Sequence, residues 1–188
     1  MHARFWPRVM SIAALLATVL VPAYTASAGA RETYGTVLGG DRATFEATFG
    51  APAGSVPADA GATGATYRIA GFKTVMVSWQ DGRSDQIVLT AADGWSQREA
   101  KEIARRFCPA DASFSTNQSS ISNVNGRTVG QTVQIGHSDA LSGRFSRTIY
   151  ARASVGGRPG DLRVAMIFNQ RNQIATIDIA IGASWVSR

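Results

Sequence analysis

Three consecutive residues, His137, Ser138 and Asp139, bring an imidazole, a hydroxyl and a carboxylate together in the chain. General-base catalysis is built from such groups: a carboxylate orients the histidine, and the histidine takes a proton. Adjacent side chains rarely converge, and Gly136 ahead of them reads as a strand end. A polar turn between strands explains the triplet equally well. A secreted hydrolase using His137 with a nearby carboxylate is therefore the alternative reading, and no catalytic residue is assigned. Cys108, in Phe107-Cys108-Pro109, is the other reactive type; a lone cysteine beside apolar helix residues is usually a small buried hydrophobe. Asp41, Asp81, Asp93 and Asp161 stand where turns and helix caps favour aspartate. Asp178 is different. It lies inside the apolar stretch IATIDIAIG, and if its face is covered it needs an arginine or backbone partner.

Composition excludes several chemistries. The 188 residues contain one cysteine and two histidines, so neither an intramolecular disulfide nor a Cys/His zinc cluster can form. No GxGxxG, Walker A or GxSxG motif is present. No cofactor and no metal is expected. The formal net charge is +6, with arginine far outnumbering lysine.

Arginine supplies the binding clue. Arg144, Arg147, Arg152, Arg158, Arg163 and Arg171 crowd one stretch in which Asp161 is the lone acid. If 145–154 is a strand, Arg144, Tyr150 and Arg152 share its parity and form a cationic, aromatic sheet face. Such a face suits an acidic protein or an anionic envelope polymer, held in a salt-sensitive way. An outer sheet face that is merely solvated is the plainer explanation.

These residues must be held by the elements around them. Asp41 to Phe49 predicts a helix capped by Asp41 and ended by Gly50. The stretch 51–65 reads as a loop, and 66–70 as a short strand. Val75, Val77 and Trp79 alternate with polar neighbours, Asp81-Gly82 signals a hairpin turn, and Ile87 and Leu89 continue in the return strand. Ser96 and Glu99 form a capping box that opens a second helix, whose apolar stripe is Ala100, Ile103, Ala104 and Phe107. The Ser/Asn-rich stretch 113–126 reads as a long surface loop. Strands are predicted at 128–135, 145–154, 162–169 and 173–181. Val75 to Gln80 can be laid on Val164 to Asn169, which suggests two related halves.

The string FEATFGAP followed by TYRIAGFKTVMVSWQDGRSDQIVL resembles the SmpA/OmlA (BamE-like) modules of bacterial envelope lipoproteins. Two in tandem resemble the secreted β-lactamase-inhibitor proteins. The resemblance implies protein binding and assembly rather than catalysis. The lipidated cysteine of the lipoproteins and the disulfides of the inhibitors have no counterpart here.

The N-terminus reads as a secretory signal peptide. Arg4 and Arg8 precede an uncharged run from Val9 to Val21, Pro22 breaks it, and Ala26-Ser27-Ala28 is a small-x-small cleavage site. The run is shorter than the roughly 20 residues of a membrane span. The expectation is thus an exported protein, secreted or periplasmic, with no membrane span after cleavage and no nucleic-acid partner. Its fold class is α+β. Residues 1–28 are the signal peptide; 29–92 and 93–188 are two tandem helix-plus-antiparallel-sheet modules forming one domain. Its role is a non-catalytic protein-binding or envelope assembly module. Intact-mass measurement of the exported form should show a start near Gly29; a membrane-retained product still carrying Met1 would overturn the export assignment.

Overall fold

The computed structural model of the protein describes residues 34, 37–57, 62–124, 127–152 and 155–184. The signal-peptide assignment for residues 1–28 lies outside them.

The first helix, α1 (Arg42–Phe49), begins as its sequence dictates. The Asp41 carboxylate accepts from the Thr44 N–H at 2.8 Å, and Gly50 closes the other end. Strands β1 (Gly54–Val56), β2 (Ala62–Tyr67), β3 (Thr74–Gln80) and β4 (Arg83–Trp95) follow as an antiparallel meander. The β3–β4 turn puts Asp81 at φ 51° and Gly82 at φ 74°. Both are left-handed, the requirement of a tight hairpin and the reason Asp-Gly forms one. Helix α2 (Gln97–Phe107) starts with the complete capping box between Ser96 and Glu99. The Ser96 hydroxyl and backbone hold the Glu99 carboxyl below the usual carboxylate range.

The second half comprises β5 (Ser113–Val124), β6 (Arg127–His137), two single-turn helices, α3 (Asp139–Ser142) and α4 (Arg147–Tyr150), then β7 (Asp161–Phe168) and β8 (Ile174–Ile181). All strands join one eight-stranded antiparallel sheet in the order β1-β2-β3-β4-β8-β7-β6-β5. This corrects the expected α+β architecture of two helix-plus-sheet modules. The strands of both halves fuse through the β4–β8 pairing, which sets Ile87 opposite Ile179 and Leu89 opposite Ile177. Fusion removes two sheet edges and makes one continuous apolar face, so the sheet dominates the molecule. β3 and β7 do occupy matching places either side of that junction.

Three further expectations are corrected. The stretch 51–65, read as a loop before a strand at 66–70, supplies β1 and most of β2, which ends at Tyr67. The stretch 113–126, read as a loop, supplies β5; its hydroxyl and amide side chains carry no apolar alternation, yet its backbone pairs with β6. The stretch 145–154, read as a strand, instead makes α4. Phe145, Ile149 and Tyr150 are buried, and the Ala151 N–H bonds back to the Arg147 carbonyl, closing a helical turn where a strand was expected.

The core lies on one face of the sheet. Val75, Val77, Ile87, Leu89, Ile177 and Ile179 are fully buried there. Phe45 of α1, Ala100, Ala104 and Phe107 of α2, Leu141 of α3 and Ile149 and Tyr150 of α4 belong to the same cluster. Aromatic rings fill the space beneath α1 and α2: Phe45 lies 4.7 Å from both Phe49 and Tyr67, and Phe107 lies 5.5 Å from Tyr34. Phe107, fully buried among these rings, should lose about 3–5 kcal/mol of stability when replaced by alanine. Urea denaturation measures it, with exposed Arg98→Ala as a control expected within about 0.5 kcal/mol of wild type.

Candidate functional site

His137 ends β6 and Asp161 begins β7, and the ladder sets them directly opposite each other. The His137 Nδ1 lies 2.9 Å from an Asp161 carboxylate oxygen. The other oxygen of Asp161 accepts from the Arg158 N–H at 2.7 Å, and the Arg158 guanidinium stands 3.9 Å away. On the far side of the ring, Nε2 lies 3.4 Å from Asp139. Gly160 packs against the imidazole at φ 92°; an added Cβ would sit 2.7 Å from the ring and 2.6 Å from the Ser138 carbonyl. Only glycine fits there.

This arrangement favours a charged histidine. The Asp161 carboxylate, and then Asp139, raise the His137 pKa above its ordinary value. A general base needs a free lone pair facing a proton donor. Here the exposed Asp139 carboxylate stands 3.4 Å from the remaining nitrogen, which favours a proton there over a free lone pair. Ser138 does not complete a triad either. Its hydroxyl donates to Asp111 at 2.7 Å and accepts from the Leu141 N–H, capping α3. Asp111 also accepts from the Ala140 N–H at 2.9 Å, and these bonds hold its carboxyl low. The cluster therefore pins α3 to the ends of the sheet. Cys108 is buried in the core, and burial pushes its thiol up to about 12, which leaves it inert as a nucleophile. Among the described residues no group of three His, Cys, Asp or Glu is placed to hold a metal ion.

The arginines do not assemble on one strand, because that strand is absent. Arg144 sits in the turn after α3 and donates to the Gly39 carbonyl at 3.0 Å and to the Ala140 carbonyl at 3.1 Å. Tyr150 is buried at 2% exposure, and burial raises its phenol pKa. Arg152 follows α4 and donates to the Gln80 side chain at 3.1 Å. Arg163 belongs to β7 and lies 3.5 Å from Asp178. That is the arginine partner a covered Asp178 requires, with Gln86 also donating to it at 2.9 Å. Asp161 was legible only as a turn residue, and neither its contact with His137 nor the Arg163–Asp178 pair has a local sequence signal. The outward parity of Arg163 between Leu162 and Val164 is the one available hint.

Arg163 and Asp178 lie on the sheet face opposite the core. One row across it runs Met76, Val88, Asp178, Ala165 and Val133. The next runs Ser78, Gln86, Ala180, Arg163 and Ile135. The five-strand surface from β3 to β6 carries no other charge in these rows, and the two it has neutralise each other. Met76, Val88 and Ile135 are partly exposed, whereas Val133, Ala165 and Ala180 are buried. At one corner a recess of about 490 Å³, counting its open mouth, is lined by Ser78, Gln80, Asp85, Gln86, Arg152 and Arg163 among others. Asp85 is the extra residue of a bulge: Ser84 pairs with Trp79 and Gln86 with Ser78, leaving Asp85 between them. At the other end, β4 places Ala91 to Gly94 opposite Ala175 alone, and the strand bows away from β8 to open a second recess beside Lys73 and Arg171.

No family model matches the chain, and no curated protein matches it. Among solved structures it is similar to a cysteine-rich secretory protein from Staphylococcus aureus subsp. aureus Mu50, at 14% identity and a TM-score of 0.40. That match covers 78% of this chain and 45% of the other. It is also similar to an extracellular protein containing an SCP domain from Bacillus anthracis str. Ames, at 10% identity and a TM-score of 0.40, covering 78% of this chain and 44% of that one. This chain thus spans less than half the length of either. Likeness at that level carries neither fold nor role across. Neither structure is a BamE-like or β-lactamase-inhibitor protein, so the resemblance to SmpA/OmlA modules is not upheld; the matched residues are mostly turn and packing residues that any antiparallel hairpin uses.

The His137 cluster has a defined pH signature. Because its folded pKa is raised, its stabilising contribution is complete below the ordinary value of 6.5 and is lost as pH rises through the folded value. Thermal unfolding should show wild type losing stability over that window relative to Asp161→Asn, and the NMR titration of His137 should move toward its ordinary value in the variant. An unshifted His137 titration in wild type would contradict the clamp.

Proposed function

We propose that the protein is an exported binding module that docks another protein on the helix-free face of its sheet and catalyses no reaction. One observation carries this reading: the helices bury their apolar residues on the other face, and the two rows across the middle of this one carry a single charged pair, Arg163 and Asp178, among the partly exposed Met76, Val88 and Ile135 and the buried Val133, Ala165 and Ala180. Antiparallel sheets commonly solvate one face, but a solvated face ordinarily carries many charges. Depletion of charge with retained methionine and aliphatic side chains is the composition of an interface centre. The corner recess, with Arg152 at its rim and Gln80 and Gln86 in its wall, offers a polar socket for one side chain of the partner. The signal-peptide pattern at the N-terminus supports export.

The expected partner surface is neutral rather than acidic, since the Arg163 charge is already answered by Asp178. Binding should therefore survive high salt, unlike capture by exposed arginines. The hydrolase alternative rests on the His137–Asp161 contact and is weakened by Asp139 at the second ring nitrogen.

The test places a photo-crosslinking residue at Met76 in one version and at Arg98, on the exposed side of α2, in another. Both are expressed in a native host, and the envelope and secreted fractions are analysed. The Met76 version should yield one dominant protein adduct in 1 M salt. Met76→Glu/Val88→Lys should weaken purified-partner binding at least about tenfold while leaving the unfolding transition within about 1 kcal/mol, because both positions are only partly buried. Equal crosslinking from both positions, or binding that vanishes in salt, would overturn the neutral-face reading. A hydrolytic activity lost in His137→Ala would overturn the non-catalytic one.

A further inference from the structure

The two edges of the sheet are built differently. β1 is three residues long and stands between Pro52 and Pro57, so little backbone is offered there. Short strands and flanking prolines are standard protection against unwanted pairing. β5, at the opposite edge, is 12 residues long. It contains no lysine, arginine, aspartate, glutamate or proline anywhere from Ser113 to Val124. A single irregularity lies near its start, between Phe114 and Thr116; from Thr116 to Val124 the register with β6 is unbroken. No described strand pairs with its outer side.

We infer that β5 pairs antiparallel with β5 of a second copy of this chain, making one sheet that runs through both copies. In a regular strand alternate residues direct their N–H and C=O groups to opposite sides. About half of the residues from Thr116 to Val124 thus point both groups away from β6, and those groups need water or another strand. Self-pairing about a twofold axis sets the residue on the axis against its own copy and every other residue against the position equally far beyond it, so a strand bearing charge of one sign repels itself. β5 is free of charge throughout and meets that requirement. Hydroxyl and amide residues are compatible with one another across an antiparallel pair, so a second copy of the same strand is an adequate partner. An apolar or oppositely charged foreign strand would find no complementary feature on this edge. The pairing uses the edge and leaves the neutral sheet face open, so it stands independently of the binding role.

Sedimentation equilibrium of the purified protein between about 1 and 200 µM should show the mass rising to twice that of one chain. Gln118 and Ser119 are exposed neighbours on β5, one on each face. Gln118→Lys/Ser119→Lys should weaken dimerisation at least about tenfold through like-charge opposition, with unchanged far-UV circular dichroism. Gln118→Pro and Ser119→Pro separate the two sides of the strand. One of them removes an N–H that bonds β6 and lowers stability. The other removes an outward N–H, keeps stability, and should yield a monomer. A cysteine at Ser119 should form an interchain disulfide under oxidation, because Cys108 is buried and does not compete. A wild-type protein that stays monomeric at 200 µM overturns the inference. So does a dimer that persists unchanged in the double-lysine variant and in both proline variants.

Discussion

Ile87 and Leu89 meet Ile179 and Ile177 across the middle of the sheet, and all four are fully buried. This contact joins residues that are far apart in the chain, whereas most other strand pairs are hairpins between consecutive strands. Closing so long a loop costs only a little more than closing a short one, because the entropy grows with the logarithm of length. The return is large. Without it β4 and β8 would each be a long apolar edge, the kind of edge that aggregates. With it, two half-sheets present one apolar face to α1, α2, α3 and α4.

That single face organises the chemistry as well as the packing. The aromatic rings of Phe45, Phe49, Tyr67 and Phe107 lock the first half beneath its helices. The cluster of His137, Asp161, Asp139, Ser138 and Asp111 fastens α3 at the ends of the second half. Basic residues go to the wet side of α2, at Arg98, Arg105 and Arg106. Positive charge is thereby kept off the opposite sheet face, where Arg163 and Asp178 cancel. A protein with a net charge of +6 thus carries one mutually paired Arg–Asp couple in the central rows of that face.

Local physics was read well from local sequence. The Asp41 cap, the Ser96–Glu99 capping box and the Asp81-Gly82 turn each depend on residues a few positions apart, and each is present. The alternation of Val75, Val77 and Trp79 with their polar neighbours picks out residues that are all buried in the core. Patterns that rely on side-chain periodicity failed where periodicity was lacking. β5 has none, and its place in the sheet is set by its backbone pairing with β6, which no side-chain alternation announces. Around α4, the residues 145–154 offer enough apolar side chains for either period, and the local turn hydrogen bonds, not the alternation, define the element.

Legible in the chain alone was therefore the short-range set: caps, turns, which residues are apolar together, and the intramolecular disulfide and Cys/His zinc cluster that one cysteine and two histidines cannot form. The tertiary structure alone decided which carboxylate orients His137, which arginine answers Asp178, and that Arg144, Tyr150 and Arg152 do not share a face. The reason is physical. A hydrogen bond or ion pair between residues 15 or 24 positions apart, as in Arg163–Asp178 and His137–Asp161, is fixed by strand register. Register in turn depends on every apolar residue that must be buried at once, and no local pattern contains that sum.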